Sequence, residues 1–164
     1  MPMTTDTIEV ELPDEAATAR AGRLLGRMAM AGTVVAMMGP LGAGKTTFTR
    51  AMAEGLEVAD TGAVSSPTFT LLQHYPGRLT MHHSDAYRLK SPAEFDDLGA
   101  AEWLSAGGVC VVEWADRVAH LLPDDLLALA LEIAGPGGRV LRARATGPEH
   151  AALLERWRAG LVGG

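Results

Sequence analysis

The sequence predicts a three-layer α/β fold with a mainly parallel central sheet and antiparallel strands at its edges. Short apolar runs alternate with stretches of helical spacing, which is typical of strands connected by helices. One apolar run leads through a glycine-rich segment into a helix. Two further runs flank Gly135-Pro136-Gly137-Gly138, and this arrangement predicts an antiparallel hairpin. The chain has 164 residues and no repeat or linker, so residues 1–164 are expected to form one domain.

The amino-terminal part of the chain predicts two strands and two helices. Ile8–Leu12 alternates apolar and acidic residues, as a half-exposed strand does. Helical spacing then runs over Ala16–Met30 and is ended by Gly32. Thr33–Met38 is a continuous apolar run, which is typical of a strand buried on both faces. A second helix is predicted over Thr46–Leu56.

The remainder of the chain predicts further strands after a polar surface loop, Asp60–Pro67. These strands cover roughly Phe69–Tyr75, Leu79–His83, Val109–Val112, Leu126–Ile133 and Arg139–Ala145. Two capping boxes predict helix starts: Ser91-Pro92-Ala93-Glu94 and Thr146-Gly147-Pro148-Glu149. The second of these begins a carboxyl-terminal helix.

Composition and charge exclude several classes of protein. The net charge of −6 and the absence of a basic stripe argue against autonomous nucleic-acid binding. The apolar runs are too short to span a bilayer, and the amino terminus has no signal-peptide pattern. The single cysteine, Cys110, excludes an internal disulfide and lies in an apolar run, so it is expected to be buried. We therefore expect a cytoplasmic protein without membrane association.

The glycine-rich segment matches the phosphate-binding pattern G-x-x-x-x-G-K-[ST] in full, between a predicted strand and a predicted helix. Backbone N–H groups of such a loop wrap an anion at the positive end of the helix. Lys45 is expected at the β- and γ-phosphates and Thr46 at Mg²⁺. The pattern predicts a P-loop NTPase fold, with nucleotide contacts from Gly39, Leu41, Gly42, Ala43, Gly44, Lys45, Thr46 and Thr47.

ATP is the favoured nucleotide. The guanine-reading element Asn-Lys-x-Asp of Ras-type GTPases is excluded because the chain contains no asparagine. Arg139, beside the glycine-rich turn of the hairpin, is a candidate to stack its guanidinium on adenine. The alternative for Arg139 is a solvated hairpin arginine.

Two carboxylates are placed to complete the site. Glu113 and Asp85 each follow a predicted strand, and nucleotides bind at the carboxyl edge of such sheets. Either is a candidate to hold Mg²⁺, directly or through water, and solvated turn carboxylates are the alternative. His82 and His83 are adjacent on a strand and point to opposite faces, so no zinc site is predicted.

Three further motifs follow the phosphate loop in order: Ser66-Pro67-Thr68-Phe69-Thr70, His83-Ser84-Asp85-Ala86-Tyr87-Arg88-Leu89 and Glu113-Trp114. With Leu12-Pro13-Asp14-Glu15 and Thr18 ahead of the first helix, the chain resembles the bacterial TsaE (YjeE) family over nearly its whole length. Pro40, Ser84 and Ala86 depart from the family pattern at positions that are not expected to touch phosphate or metal.

The resemblance implies a weak, Mg²⁺-dependent and partner-dependent ATPase that turns ATP into ADP and phosphate. It implies that this hydrolysis resets the complex that makes t6A37 in tRNAs reading ANN codons. Thr46 and Glu113 would coordinate Mg²⁺, and Thr68 and Asp85 would lie near the γ-phosphate and the attacking water. Trp114 would pack beside the site, although an ordinary core indole is equally compatible with its position.

The implied partners are the t6A transferase subunit and its paralogous subunit, of the TsaD and TsaB type, with tRNA reached only through that complex. A small-molecule or nucleoside kinase is the alternative enzyme. It would need an acceptor pocket and normally an arginine-rich lid, and no such segment follows the phosphate loop. A non-enzymatic role, with ATP as an assembly ligand, stays open.

Overall fold

The computed structural model describes residues 6–40, 42–64 and 72–163. Seven strands occur in these residues: β1 Thr7–Leu12, β2 Val34–Met38, β3 Leu72–Tyr75, β4 Met81–Asp85, β5 Val109–Glu113, β6 Leu127–Ile133 and β7 Arg139–Ala145. The α-helices are α1 Glu15–Met28, α2 Lys45–Gly55, α3 Pro92–Asp97, α4 Ala100–Leu104 and α5 Pro148–Gly163. Three short 3₁₀ segments cover Thr61–Ala63, Ala86–Arg88 and Ala115–Leu121.

The strands form one mixed sheet in the order β1-β7-β6-β2-β5-β4-β3. Its centre, β6-β2-β5-β4, is parallel, and β7, β1 and β3 join it antiparallel at the two sides. This confirms the predicted fold class and hairpin. Because parallel strands end at the same edge, β2, β4 and β5 bring their carboxyl ends together, with Glu113 in register with both Met37 and Asp85.

Helices α1, α2 and α5 cover one face of the sheet, and α3 and α4 cover the other. Helices α1 and α2 approach closely because Gly22 and Gly26 face the second helix. A Cβ at either position would lie within 2.5 Å of a backbone oxygen of Phe48 or Met52. Trp157 of α5 packs edge-on against Phe48 at 6.1 Å and donates its indole N–H to α1. These contacts fix the helix that begins at the phosphate loop.

Two predicted elements have wrong bounds. Helix α1 ends at Met28 rather than Met30, because Ala29 is extended and the Met30 N–H donates to the Thr33 hydroxyl. Strand β4 is Met81–Asp85 rather than Leu79–His83, shifted by two residues, because its pairing with β5 begins at Met81 and extends to the pair of Asp85 with Glu113. Asp85 is thus the last residue of a strand. Of the predicted strand Phe69–Tyr75, residues 69–71 lie outside the described part of the chain.

The capping boxes were also wrong in detail. The Ser91 side chain makes no capping hydrogen bond, although Pro92 does begin α3. Helix α5 is capped from a distance, since the Asp125 carboxylate accepts from the Glu149 and His150 N–H groups. The Thr146 hydroxyl instead bonds the backbone on either side of Asp125.

Cys110 is 1% exposed, as predicted for a small core residue. Burial raises the pKa of its thiol to about 12, so the thiol is not a reactive thiolate. Among the described helices, none combines the length and apolar character that crossing a membrane requires.

Candidate functional site

The phosphate loop connects β2 to α2 through a backbone that requires glycine. Gly39, Gly42 and Gly44 all have positive φ, at 148°, 79° and 98°. A Cβ at Gly39 would also lie 2.5 Å from the carbonyl oxygen of Leu131. Gly44 is the N-cap of α2, and a glycine has no side chain to occupy the first-turn N–H groups. The start of α2 is therefore suited to an anion.

Lys45 is buried at the head of this loop, with 6% of its surface exposed. Its Nζ atom donates to the Gly39 carbonyl at 2.5 Å and lies 3.9 Å from the centre of the Trp114 ring. Burial lowers the pKa of Lys45, while the charges of Glu113, Asp85 and Asp116 oppose that shift. A phosphate group would give this desolvated ammonium a stronger partner than a carbonyl and a ring.

The two predicted carboxylates lie side by side at the ends of β4 and β5. Glu113 is 1% exposed, and its Oε2 atom lies 2.5 Å from Nε2 of His83. Asp85 is 6% exposed, and its carboxylate accepts from the Tyr87 N–H at 2.9 Å. Burial raises the pKa of Asp85 and Glu113 adds to the rise, against the lowering effects of the Tyr87 N–H, His83 and Lys45. A carboxyl group held in this way is suited to accept a proton or to orient water.

An aromatic pair forms one wall of the site. The Trp114 and Tyr87 rings lie 4.8 Å apart, and Trp114 adopts a left-handed backbone with φ of 57°. The turn that carries Tyr87 is fixed by Arg117, whose guanidinium donates to the carbonyls of Tyr87 and Leu89. Trp114 therefore lies beside Lys45 and also packs, half-buried, against the hydrophobic core, and its contact with nucleotide stays a prediction.

These elements enclose a cleft of about 500 Å³ at the carboxyl edge of the sheet. The predicted residues that line it are Gly42, Gly44, Lys45, Thr46, Thr47, Asp85, Glu113, Trp114 and Arg139. Gly39 and Ala43 build the loop without lining the cleft. Leu41 and Thr68 lie outside the described residues. Residues 65–67 of the predicted loop Asp60–Pro67 also lie outside them.

Four lining residues were not predicted as site residues: Glu15, Thr18, Tyr87 and Gly137. Glu15 and Thr18 reach the cleft from the first turn of α1, and Glu15 Oε1 lies 3.5 Å from the Thr47 hydroxyl. The packing of α1 on α2 brings them there, and that packing has no local sequence signal. Glu15 and Thr18 did belong to the motifs that carry the family resemblance, and that resemblance was the sequence signal that could have identified them as site residues.

Arg139 lies against the phosphate loop and is not a solvated hairpin arginine. Its guanidinium donates to the carbonyl oxygens of Gly42 at 2.8 Å, Ala43 at 3.0 Å and Gly138 at 2.7 Å. These bonds engage two backbone carbonyls of the phosphate loop and one of the neighbouring turn. Arg139 therefore links the β6–β7 turn to the loop backbone, and stacking on adenine stays a prediction.

The oxygen donors in the cleft fit Mg²⁺. Mg²⁺ is usually bound by one or two carboxylates together with substrate phosphates and water, rather than by an all-protein cage. Thr46, Glu113 and Asp85 all line the cleft and supply hard oxygen atoms. In the described part of the chain no group of three or more His, Cys, Asp or Glu residues is arranged to hold a metal ion. The site therefore suits a cation that arrives with phosphate.

His82 and His83 point to opposite sides of β4, as predicted. His82 contacts His74 through their Nδ1 atoms at 2.6 Å and lies beside the Trp103 ring. His83 instead points towards Glu113. His82 and His83 therefore cannot bind the same metal ion.

The chain matches the family model described as "Threonylcarbamoyl adenosine biosynthesis protein TsaE" over residues 12–140. It is 46% identical over 122 residues to the tRNA threonylcarbamoyladenosine biosynthesis protein TsaE of Treponema pallidum, covering 74% of this chain and 89% of that protein. The protein of the same name from Bacillus subtilis is 40% identical over 144 residues, covering 87% of each chain.

A solved structure has the same fold. The fold superimposes on the crystal structure of YdiB from Bacillus subtilis with a TM-score of 0.78 and 31% sequence identity. The match covers 94% of this chain and 95% of that one. The similarity thus extends over the sheet, the phosphate loop and the helices around it.

Proposed function

The chain belongs to the TsaE family, and from this membership we propose that it is a P-loop ATPase serving threonylcarbamoylation of adenosine 37 in tRNAs that read ANN codons. One observation carries the proposal. A phosphate loop with a buried lysine shares a single cleft with two strand-end carboxylates, Asp85 and Glu113. P-loop proteins that hydrolyse nucleotides use this set of groups.

ATP binds with its phosphates in the loop between Gly39 and Thr47. Lys45 exchanges the Gly39 carbonyl and the Trp114 ring for the β- and γ-phosphates. The first turn of α2 supplies N–H groups to the same phosphates. Arg139 bonds the carbonyls of Gly42 and Ala43 and so fixes the backbone of the loop that supplies N–H donors to the phosphates.

Thr46 and Glu113 would hold Mg²⁺, which when bound would neutralise charge on the phosphates. Asp85 lies beside Glu113 on the neighbouring strand and orients the attacking water. Thr68 belongs to the segment that senses the γ-phosphate, and its place lies outside the described residues. ADP and phosphate are the products.

Hydrolysis depends on partner proteins because the cations among the described lining residues are Lys45 and Arg139, and Arg139 already holds the loop backbone. Arg139 is the arginine among the described lining residues, and its donors are engaged by backbone carbonyls. An arginine supplied from a partner accelerates other P-loop enzymes by about 10³–10⁵. The partners are the t6A transferase subunit and its paralogue, and the net charge of −6 is consistent with tRNA contacts being made by that complex.

The test is an ATPase assay on the purified chain, alone and with the transferase subunits. We expect slow release of ADP and inorganic phosphate, strong stimulation by the subunits, and loss of both activities in Lys45→Ala. Accumulation of a phosphorylated small molecule instead of free phosphate would favour the kinase alternative. Nucleotide-dependent assembly without any turnover would favour a purely structural role for ATP.

A further inference from the structure

We propose that His83 is a positioning residue that orients the Glu113 carboxylate, and that it thereby sets how tightly the nucleotide-bound site holds its divalent cation. The inference rests on the proposed function, in which Glu113 is a metal ligand. It starts from one contact, in which His83 Nε2 lies 2.5 Å from Glu113 Oε2. The two side chains are 0% and 2% exposed, so water does not compete for this contact.

The sheet fixes where the imidazole lies. His83 pairs with Val111 and Asp85 pairs with Glu113 across the parallel strands β4 and β5. Because side chains alternate along a strand, His83, Asp85 and Glu113 share one face of the sheet. His83 lies two residue pairs further from the cleft edge than the two carboxylates, and it is the next residue of β4 on their face of the sheet. It therefore supports Glu113 from behind, and it is absent from the residues that line the cleft.

The hydrogen-bond partners of His83 determine which ring nitrogen carries the proton. Among the described residues, Nδ1 of His83 is buried and has no hydrogen-bond partner. A buried N–H without an acceptor is costly, whereas Nε2 has a carboxylate oxygen beside it. The proton therefore belongs on Nε2, which donates to Oε2 of Glu113. The second carboxylate oxygen, Oε1, is left for the cleft.

A packing role alone does not account for this arrangement. An aliphatic side chain of similar volume would fill the space without leaving a polar atom unpaired in the core. An imidazole at this position leaves its Nδ1 atom without a hydrogen-bond partner, but its Nε2–H group makes a hydrogen bond to Glu113. Hydrogen bonds of this kind to a ligand carboxylate fix its orientation, and their loss typically weakens metal affinity by about 10–100-fold.

Three variants separate positioning from packing. His83→Leu removes both nitrogens while keeping similar volume. His83→Gln places an amide N–H near the position of Nε2, and His83→Asn is too short to reach Glu113. His82→Leu is the matched control, because it removes a buried histidine from the same strand on the opposite face, where the partner is His74.

Binding of Mn²⁺ to the ADP complex is measured by electron paramagnetic resonance, and metal-free ADP affinity is measured by calorimetry in EDTA. Thermal unfolding confirms that each variant folds. We expect His83→Leu and His83→Asn to weaken Mn²⁺ binding by about 10–100-fold with metal-free ADP affinity unchanged, and His83→Gln to restore most of it. His82→Leu is expected to stay within about twofold of wild type, as for independent sites.

Equal Mn²⁺ affinity in all His83 variants would overturn the positioning role while leaving the proposed function intact. Equal weakening of Mn²⁺ binding in His83→Gln and His83→Asn would also overturn the positioning role. The comparison of these two variants is sufficient if His83→Leu does not fold. A wild-type ADP complex that binds no Mn²⁺ would instead count against the proposed function itself. The two failures are therefore distinguishable.

Discussion

The Nζ atom of Lys45 lies 3.9 Å from the centre of the Trp114 ring, and it also donates to the carbonyl of Gly39. A cation–π contact of this kind is worth about 0.5–2 kcal/mol, depending on how far it is desolvated. In the proposed complex, a phosphate group would compete with these two contacts for the lysine ammonium. Lys45 thus connects the phosphate loop to the turn after β5, where the tilted Trp114 and Tyr87 rings pack at 4.8 Å.

Replacing Lys45 with Ala is expected to lower nucleotide affinity by about one to two decades, because a charge-assisted hydrogen bond is worth about 1.5–3 kcal/mol. Calorimetric titration with ADP and with a non-hydrolysable ATP analogue measures the change. Lys90→Ala is the matched control, since Lys90 is the chain's second lysine and is exposed. Unchanged nucleotide binding in a folded Lys45→Ala protein would contradict the phosphate-loop assignment.

Thr46→Ala and Glu113→Ala are each expected to weaken Mg²⁺-dependent nucleotide binding and turnover, with less effect on metal-free nucleotide binding. The reason is that hydroxyl and carboxylate oxygens are the hard ligands that Mg²⁺ prefers. The measurement is nucleotide affinity across a Mg²⁺ titration, with an EDTA sample as the metal-free reference. An unaltered Mg²⁺ dependence in Glu113→Ala would make Asp85 the better candidate ligand.

The central site was predictable because its signals are local. The run from Thr33 to Leu56 holds a buried strand, a phosphate-loop pattern and a helix, and each was found within one residue of its predicted bounds. Asp85 and Glu113 were predictable as site residues for a related reason. They end parallel strands, and topology then brings them to one edge.

The surrounding contacts were not predictable because they join residues far apart in sequence. The bond between Arg139 and the Gly42 carbonyl spans 97 residues, and the contact between His83 and Glu113 spans 30. The cap of α5 has the same character, since Asp125 lies 24 residues before Glu149. Local capping rules therefore indicated Thr146, whereas the folded chain supplies a carboxylate from the loop before β6.

Asp85→Asn is expected to stabilise the nucleotide-free protein at neutral pH, because burial raises the pKa of Asp85. A carboxyl whose pKa is raised on folding binds its proton more tightly in the folded state. The wild type therefore loses stability as pH rises from the ordinary value of 3.8 through the raised value. Asn does not titrate and keeps an acceptor for the Tyr87 N–H, so its advantage grows over that same interval.

Thermal unfolding of both proteins between acidic and neutral pH measures this advantage. Asp96→Asn, which removes an exposed carboxyl outside the cleft, controls for the change in net charge. A stability difference between wild type and Asp85→Asn that stays constant over the whole range would contradict the raised pKa of Asp85.

Arg139→Ala is expected to weaken binding of the phosphate chain itself, because it removes three hydrogen bonds that hold the loop and its neighbouring turn. Inorganic tripolyphosphate, competing against a labelled nucleotide, reports this effect without a base. Arg139→Lys serves as the comparison that keeps the charge without the planar fork. If Arg139 also stacks on adenine, the loss will be larger for ATP than for GTP. Equal ATP and GTP affinities in wild type and Arg139→Ala would dismiss adenine stacking.

Thr68→Ala and Asp85→Ala are expected to keep much of their nucleotide affinity and to lose partner-stimulated turnover. The expectation follows from roles directed at the γ-phosphate and the attacking water rather than at binding, as in nucleotide-sensing segments of GTPases. Nucleotide affinity by calorimetry and phosphate release with and without the transferase subunits are measured on the same preparations. Lys45→Ala provides the opposite pattern, in which affinity itself is lost. Full activity of the isolated wild type, unchanged by the subunits, would mean that hydrolysis is not gated by partners. Stimulated turnover that survives both substitutions would instead move the catalytic roles away from Thr68 and Asp85.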